Sequence, residues 1–153
     1  MAIQKILVYY NFTAQEEKTL DFVARTYANR DDVQVTLFNA YTSLPTIDMQ
    51  AGPEMTKMKM GLARLADGVR EKEEGLKSAK DFLVRNGLQD DQVDYLFKEK
   101  EKSTADEIIH TVSKHHYRVL VLTREPKVGG LFGRSIHARV LAALNNITVC
   151  VVN

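Results

Sequence analysis

Short apolar runs alternate with amphipathic segments along the whole chain. Runs rich in β-branched residues and leucine predict strands, and these cover residues 6–10, 33–38, 93–97, 119–122 and 147–152. Between them, apolar residues recur at steps of three and four, which predicts amphipathic helices. Strands that alternate with helices imply right-handed crossovers and a parallel sheet with helices on both faces. The pattern therefore predicts an α/β fold.

Two of the predicted helices carry further signals. Thr13 and Glu16 read as a capping box at the start of the first helix, with Glu16 toward its outer side. The second helix extends from Glu54 to Asn86, and Gly87 suits its C-cap. Its methionines at 55, 58 and 60 suit either a soft binding surface or ordinary filler in the core and partial surface.

Length and composition restrict the class of protein. The 153 residues suit a single domain spanning residues 1–153. A net charge of +1 argues against a general nucleic-acid binder. The single cysteine, Cys150, cannot form an internal disulfide and lies in an apolar run, which favours a buried thiol in a reducing compartment. Because no signal peptide or membrane segment is evident, we expect a cytoplasmic location and no membrane partner.

Polar or glycine-bearing segments follow three of the predicted strands, where ligands bind in doubly wound sheets. They are Asn11–Thr13, Asn39–Tyr41 and the loop after Leu122. The last loop contains Gly129, Gly130 and Gly133 and leads to a helix that begins at Ser135, an arrangement that can hold an anion. Alternatively, these glycines only turn the loop and Ser135 only caps the helix.

Several segments resemble the universal stress proteins, a family of the adenine nucleotide alpha hydrolase-like superfamily. They are the Asn11-Phe12-Thr13 turn, the STADEII helix start at 103–109, VLVL at 119–122, GRSIHARVL at 133–141 and VCVV at 149–152. The resemblance covers nearly the whole chain. It implies a Rossmann-like, doubly wound, five-stranded parallel sheet of order 3-2-1-4-5. It also implies a homodimer that forms through the last strand, Ile147 to Val152.

Some members of that family bind ATP through a loop of the form G-x2-G-x9-G-[ST] after the fourth strand, and others lack the motif. Aligned from Val140-Leu141, the final serine of the motif is Ser135, and its three glycines fall on Thr123, Pro126 and Arg134. Proline has a fixed φ and no N–H for a phosphate. By contrast, Gly129 and Gly130 can replace the double glycine within the loop.

Compensating features lie nearby. Gly133 can supply flexibility one residue early, and Lys127 and Arg134 carry positive charge. The resemblance implies that adenine and ribose lie near Asn11, Ala40 and Leu122, with the phosphates against residues 129–136. The full set of implied binding residues is Asn11, Phe12, Thr13, Ala40, Leu122, Thr123, Lys127, Gly129, Gly130, Gly133, Arg134, Ser135 and Ile136.

The expected function is that of a stress-response or regulatory protein that binds ATP or another adenine nucleotide. Any ATP hydrolysis should be slow, because no residue is evidently placed to activate water. His137 is the only histidine near the expected cleft and lacks a nucleophile partner, and no residue spacing suggests a metal site.

Two other classes remain open. One is a dimeric interaction module without nucleotide, which presents its helices or the Thr42 to Pro53 loop to a protein partner. The other is a nucleotide-transforming enzyme on the related fold. Asn11-Phe12-Thr13-Ala14 argues against that enzyme, because it is not the early pyrophosphate motif that such enzymes generally use.

Overall fold

The described part of the chain contains five strands and four helices. The computed structural model describes residues 2–44, 53–124 and 136–153. The strands are β1 (Gln4–Tyr9), β2 (Val33–Tyr41), β3 (Val93–Glu99), β4 (Val119–Thr123) and β5 (Thr148–Val152). The helices are α1 (Glu16–Tyr27), α2 (Pro53–Arg85), α3 (Thr104–His115) and α4 (Ile136–Ala143), and a 3₁₀ turn over Asp90–Gln92 precedes β3.

All strand pairs are parallel, and the sheet order is β3-β2-β1-β4-β5. The central strand β1 pairs on both sides: Ile6 is opposite Val35 on β2 and Val119 on β4. Its residues Ile6, Leu7 and Val8 are fully buried, as expected for a parallel strand that is covered on both faces. The predicted fold class is therefore confirmed.

Each face of the sheet has its own hydrophobic core. One face packs against α1 and α2, through residues that include Val23 and Leu83. The opposite face packs against α3 and α4, through residues that include Ile108 and Val140. The sheet is thus the middle of three layers.

The start of α1 differs from the prediction. The helix begins at Glu16, with Gln15 as the N-cap residue and no side-chain cap. Glu16 is 1% exposed, so its placement on the outer side was wrong. It precedes Leu20 by four residues and Val23 by seven, which places it on the buried stripe of the helix. Its carboxylate accepts hydrogen bonds from outside the helix instead of forming a capping box.

The long helix α2 is buried only toward its C-terminus. Leu76, Ala79 and Leu83 are in the core, whereas Met58 and Met60 are 50% and 56% exposed. Neither methionine is therefore core filler. The helix ends as predicted near Gly87, whose φ of 117° and close approach to Ala28 exclude a side chain.

A run of alternating charge at residues 98–102 covers the end of β3 and the start of its connection to α3. Lys98 Nζ forms an ion pair of 2.9 Å with Glu107 Oε2, and Glu107 is 3% exposed. Glu107 Oε1 accepts hydrogen bonds from the backbone N–H groups of Glu101 and Lys102, at 2.8 Å and 3.0 Å. The run is thus anchored to α3, and only part of it is a solvated edge.

Two predicted segments lie partly or wholly outside the described residues. They are residues 45–52 of the Thr42 to Pro53 loop and residues 125–135 of the glycine-bearing loop. Within the described ranges, no helix is both long and apolar enough to cross a membrane.

Candidate functional site

A cleft lies at the carboxyl ends of β1 and β4, where the strand order reverses. This is the position at which open α/β sheets bind ligands. Its cavity volume is about 20 Å³, and about 330 Å³ of space lies in and above it when the open solvent at its mouth is included. Its described lining consists of Tyr9, Asn11, Thr13, Glu16, Leu122, Thr123, Arg124, Ile136 and His137.

The carboxylate of Glu16 forms the floor of the cleft. Its Oε1 accepts hydrogen bonds from the Asn11 backbone N–H at 3.0 Å and from Thr13 Oγ1 at 3.5 Å. Its Oε2 accepts a hydrogen bond of 2.7 Å from Thr123 Oγ1. One side chain therefore ties the turn after β1 to the end of β4.

Burial dominates the electrostatics of Glu16. It raises the pKa of this carboxyl above the usual 4.5, and the hydrogen bonds from Thr123, Asn11 and Thr13 only partly oppose the rise. Within the described residues, Glu16 takes part in no ion pair with a lysine or arginine. The floor of the cleft is thus a carboxyl group that favours its neutral form more than an exposed glutamate does.

A chain of hydroxyl groups continues from Glu16 into α1. Thr123 Oγ1 and Thr19 Oγ1 are 2.5 Å apart, and Thr19 is fully buried. Because the single hydroxyl hydrogen of Thr123 is donated to Glu16, Thr19 must donate to Thr123. This chain holds the last residue of β4 in a fixed orientation.

His137 and Arg124 also line the cleft. His137 Nε2 donates to the Thr123 carbonyl at 2.9 Å, which joins the first turn of α4 to β4. Arg124 is exposed, and its guanidinium donates to Asn153 Oδ1 at 3.1 Å. Arg124 therefore brings a positive charge to the lining of the cleft.

Phe12 shapes the turn after β1. Its φ is 58°, a left-handed conformation that is uncommon for a bulky residue. The ring packs edge-on against Tyr10, with 4.8 Å between ring centroids, and it also contacts Gly75 of α2. A Cβ at Gly75 would lie 2.7 Å from Phe12 Cε1. The turn is thus held by α2 on one side and by Glu16 on the other.

The end of β2 contributes less to this cleft than the sequence predicts. Ala40 is 7% exposed and belongs to the core beneath α3 and α4, so it does not line the described cleft. Its neighbour Asn39 is 4% exposed and donates from Nδ2 to the Tyr10 carbonyl at 2.8 Å. Asn39 Oδ1 is buried, and no hydrogen-bond donor among the described residues reaches it.

The structure brings together five of the predicted site residues. Asn11, Thr13, Leu122, Thr123 and Ile136 all line the cleft. Phe12 lies in the same turn but faces α2. Lys127, Gly129, Gly130, Gly133, Arg134 and Ser135, together with Pro126, lie outside the described residues.

Tyr9, Glu16, Thr19 and Arg124 are the residues at the cleft that the sequence analysis did not assign to the site. The helical spacing of Glu16 with Leu20 and Val23 was the available signal for its burial. Arg124 directly follows β4, so its position at the carboxyl edge was also readable. Thr19 carried no signal, because its role depends on a residue more than a hundred positions away.

Comparison with known proteins gives a structural match without a sequence match. No protein-family model and no curated protein matches the chain. A universal stress protein from Archaeoglobus fulgidus in complex with dAMP has a TM-score of 0.64 and 16% identity, with 100% of both chains covered. A universal stress protein in complex with cAMP has a TM-score of 0.62 and 14% identity, covering 100% of this chain and 98% of that one.

A plant structure completes the comparison. A universal stress protein family protein from Arabidopsis thaliana with AMP bound has a TM-score of 0.55 and 15% identity, covering 98% of this chain and 92% of that one. At such low identity the matches establish the fold. The resemblance inferred from the sequence is therefore confirmed at that level: along its whole length, this chain has the fold of the universal stress proteins.

Proposed function

We propose that the protein is a cytoplasmic stress-response or regulatory protein that binds an adenine nucleotide in the cleft between β1 and β4. The observation that carries the proposal is the cleft itself, which lies at the strand-order reversal and is lined by Asn11, Thr123 and Arg124. The dAMP, cAMP and AMP complexes of proteins with the same fold support this ligand class.

In this proposal the base and ribose lie over Asn11 and Leu122, and the phosphates lie toward Arg124 and the start of α4. Asn11 is exposed, so its side-chain amide can offer both a donor and an acceptor to the ligand. Ala40 makes no direct contact, because it is buried in the core. ATP is one member of the proposed ligand class, alongside the monophosphates.

Binding without efficient chemistry follows from how the polar groups are used. Both carboxylate oxygens of Glu16 already accept hydrogen bonds, and His137 Nε2 already donates to the Thr123 carbonyl. We therefore propose slow ATP hydrolysis at most, far below the turnover of about 10 per second that is usual for enzymes.

Isothermal titration calorimetry with AMP, cAMP and ATP tests nucleotide binding directly. Asn11→Ala should weaken the bound nucleotide about five- to tenfold, the loss of roughly one hydrogen bond. Asn145→Ala is the matched control, since Asn145 is exposed and lies in the connection between α4 and β5, at the amino edge of the sheet. Failure of all three nucleotides to bind at millimolar concentration would refute the proposal.

A second candidate function is a dimeric interaction module that binds no nucleotide. The observation that favours it is Thr123, which stands where ATP-binding relatives are expected to carry glycine, and which is 9% exposed within the cleft. Thr123→Gly distinguishes the two functions. If the wild type binds no nucleotide but the glycine variant does, the cleft is occluded by this side chain and the interaction module is favoured. Thr123→Ser, which keeps the hydroxyl, is the control.

In both cases we propose a homodimer that forms through β5. This strand is the edge of the sheet, and Val151 on it is 42% exposed. An exposed apolar edge strand tends to pair with another chain unless something covers it. Pairing of two β5 edges would extend the sheet across the dimer and cover Val151.

A further inference from the structure

The N-terminal half of α2 extends beyond the sheet. With a rise of about 1.5 Å per residue, this 33-residue helix is about 50 Å long. The longest strand, β2, has nine residues and spans about 30 Å. Gly75 contacts Phe12 just past the end of β1, so the residues before Gly75 lie past the carboxyl edge of the sheet. We call residues 54–72 the overhang.

The overhang continues the apolar stripe that packs on the sheet further along the helix. Met58, Leu62, Leu65 and Val69 follow one another at steps of four, three and four residues. Leu76, Ala79 and Leu83 continue the same spacing and are buried. By contrast, Met58 is 50% and Leu65 is 52% exposed. A repeat of 3.5 residues is the signature of a helix that packs along another helix.

Glycines flank this stripe at intervals of seven residues. Gly75 needs its lack of a side chain, because a Cβ there would meet Phe12. Gly61 and Gly68 have no such reason: no described atom lies within 4 Å of a Cβ built at either. Glycine is unfavourable inside a helix, so two glycines without a steric reason point to a close neighbour that is not among the described residues.

The pattern is complementary to itself in the antiparallel direction. If two overhangs pair about a two-fold axis between Leu62 and Leu65, Met58 faces the partner's Val69. Leu62 then faces the partner's Leu65, and Gly61 lies beside the stripe within two residues of the level of the partner's Gly68. Isologous pairing of this kind is usual in homodimers.

The distribution of charge favours the same orientation. Residues 54–64 carry an excess of two positive charges, from Lys57, Lys59 and Arg64 against Glu54. Residues 65–74 carry an excess of two negative charges, from Asp67, Glu71, Glu73 and Glu74 against Arg70 and Lys72. Antiparallel pairing brings the positive block of one copy to the negative block of the other, whereas parallel pairing brings like blocks together.

We propose that the overhang is a second self-association surface, at which two copies of the protein pair their α2 helices antiparallel through Met58, Leu62, Leu65 and Val69. The contact covers about 17 Å of helix from Met58 to Val69. This is at the small end of specific interfaces, below about 1,200 Å², so the association is reversible and depends on concentration.

The test measures the oligomeric state by sedimentation velocity in a Val151→Asp background, which removes the proposed β5 contact. Met58→Glu should raise the dissociation constant at least tenfold. Met60→Glu is the matched control, because it makes the same change two residues away, at a similarly exposed side chain off the stripe. A monomeric Val151→Asp protein at all concentrations, or equal effects of the two glutamates, would overturn the proposal.

Gly61 and Gly68 provide a second test, whose expected result could not arise from unfolding of the helix. The double variant Gly61→Ala/Gly68→Ala should slow amide hydrogen exchange in the overhang, because alanine favours the helix. It should also weaken self-association at least fivefold, because the added methyl groups separate the helices. Unchanged or tighter association in this better-formed helix would contradict the predicted close approach.

Disulfide trapping tests the orientation, with Cys150→Ser as the background since Cys150 is the free thiol of the chain. A mixture of Met58→Cys and Val69→Cys proteins should form mixed disulfide dimers. Met58→Cys alone should form few. Efficient self-linkage of Met58→Cys would indicate parallel pairing and refute the antiparallel arrangement.

Discussion

Replacement of Glu16 by glutamine should leave the protein as stable as the wild type at neutral pH, or more stable. Glutamine keeps the shape of the side chain and an oxygen for the Asn11 N–H and the Thr13 hydroxyl. Its amide can donate to Thr123 Oγ1, whose own hydrogen then turns toward Thr19. The hydrogen bonds of the cleft floor therefore survive, and only the buried charge is lost.

The magnitude follows from the raised pKa of Glu16. A folded-state pKa above the unfolded value of 4.5 means that folding disfavours the ionised carboxyl. Each unit of increase costs about 1.4 kcal/mol once both states are ionised. We therefore expect Glu16→Gln to be at least as stable as the wild type at pH 7, where most replacements of buried polar residues lose stability.

The upward direction of the Glu16 pKa shift also predicts how the stability of the protein depends on pH. As pH rises above 4.5, the unfolded carboxyl ionises first, so the wild type loses stability until the pH passes its higher folded-state pKa. Below 4.5 the carboxyl is protonated in both states and this loss is absent. The stability of the glutamine variant relative to the wild type should accordingly increase upward from pH 4.5, with a slope of at most about 1.4 kcal/mol per pH unit.

Urea unfolding can be followed by far-UV circular dichroism at several values between about pH 4 and pH 8. It measures the stability difference between the glutamine variant and the wild type and the change of this difference with pH. Glu17→Gln is the matched control, since it removes the same charge from an exposed position in the same helical turn. A glutamine variant less stable than the wild type by more than about 1 kcal/mol at pH 7 would refute the reasoning. A stability difference between variant and wild type that does not change with pH would also refute it.

Three further predictions concern the rest of the fold. Burial opposes the ionisation of Glu107, but hydrogen bonds from Lys98 and from the Lys102 and Glu101 N–H groups hold its pKa at about 2. Glu107→Gln should therefore lower the free energy of unfolding by about 2–3 kcal/mol at pH 7. This loss should disappear as pH falls from 4.5 toward 2, because the wild-type carboxylate then becomes protonated. The pH dependence is thus opposite to that expected for Glu16→Gln. Ser103→Ala removes the hydroxyl that accepts a hydrogen bond from the Asp106 N–H at the start of α3, and it should lower the free energy of unfolding by about 1 kcal/mol. Ser113→Ala is the control, because Ser113 is exposed on the same helix, and it should lower the free energy of unfolding by less. Val151→Asp should abolish the β5 dimer in sedimentation velocity, and an unmodified protein that is already monomeric would end that proposal.

The hydrophobic pattern was sufficient to predict the fold, because the central strands of a parallel sheet are apolar on both faces. The runs around Ile6, Val35 and Val119 have this character and became the three central strands. Helix starts were less predictable. Thr13 and Glu16 fit a capping box in sequence, yet α1 begins at Glu16 because its carboxylate binds the Asn11 N–H and the Thr123 hydroxyl.

Part of the candidate site was also predicted from the hydrophobic pattern. Strand ends are visible in sequence, so Asn11, Leu122 and Thr123 were placed correctly at the carboxyl edge. Which face a residue takes there depends on the register of the sheet. Ala40 belongs to the core beneath α3 and α4, and a local pattern cannot reveal this without knowing which helices cover that face.

The position of β1 in the middle of the sheet has a consequence for synthesis of the protein. Its pairing with β2 can form once Tyr41 has been made, but its other edge waits for β4, which begins at Val119. At translation rates of about 5–20 residues per second, this interval is about 4–16 s. Throughout it, the nascent chain presents the unpaired edge of the apolar strand that contains Ile6, Leu7 and Val8. The order of strands in the sheet thus makes β1 a segment that a ribosome-associated chaperone is expected to bind during synthesis.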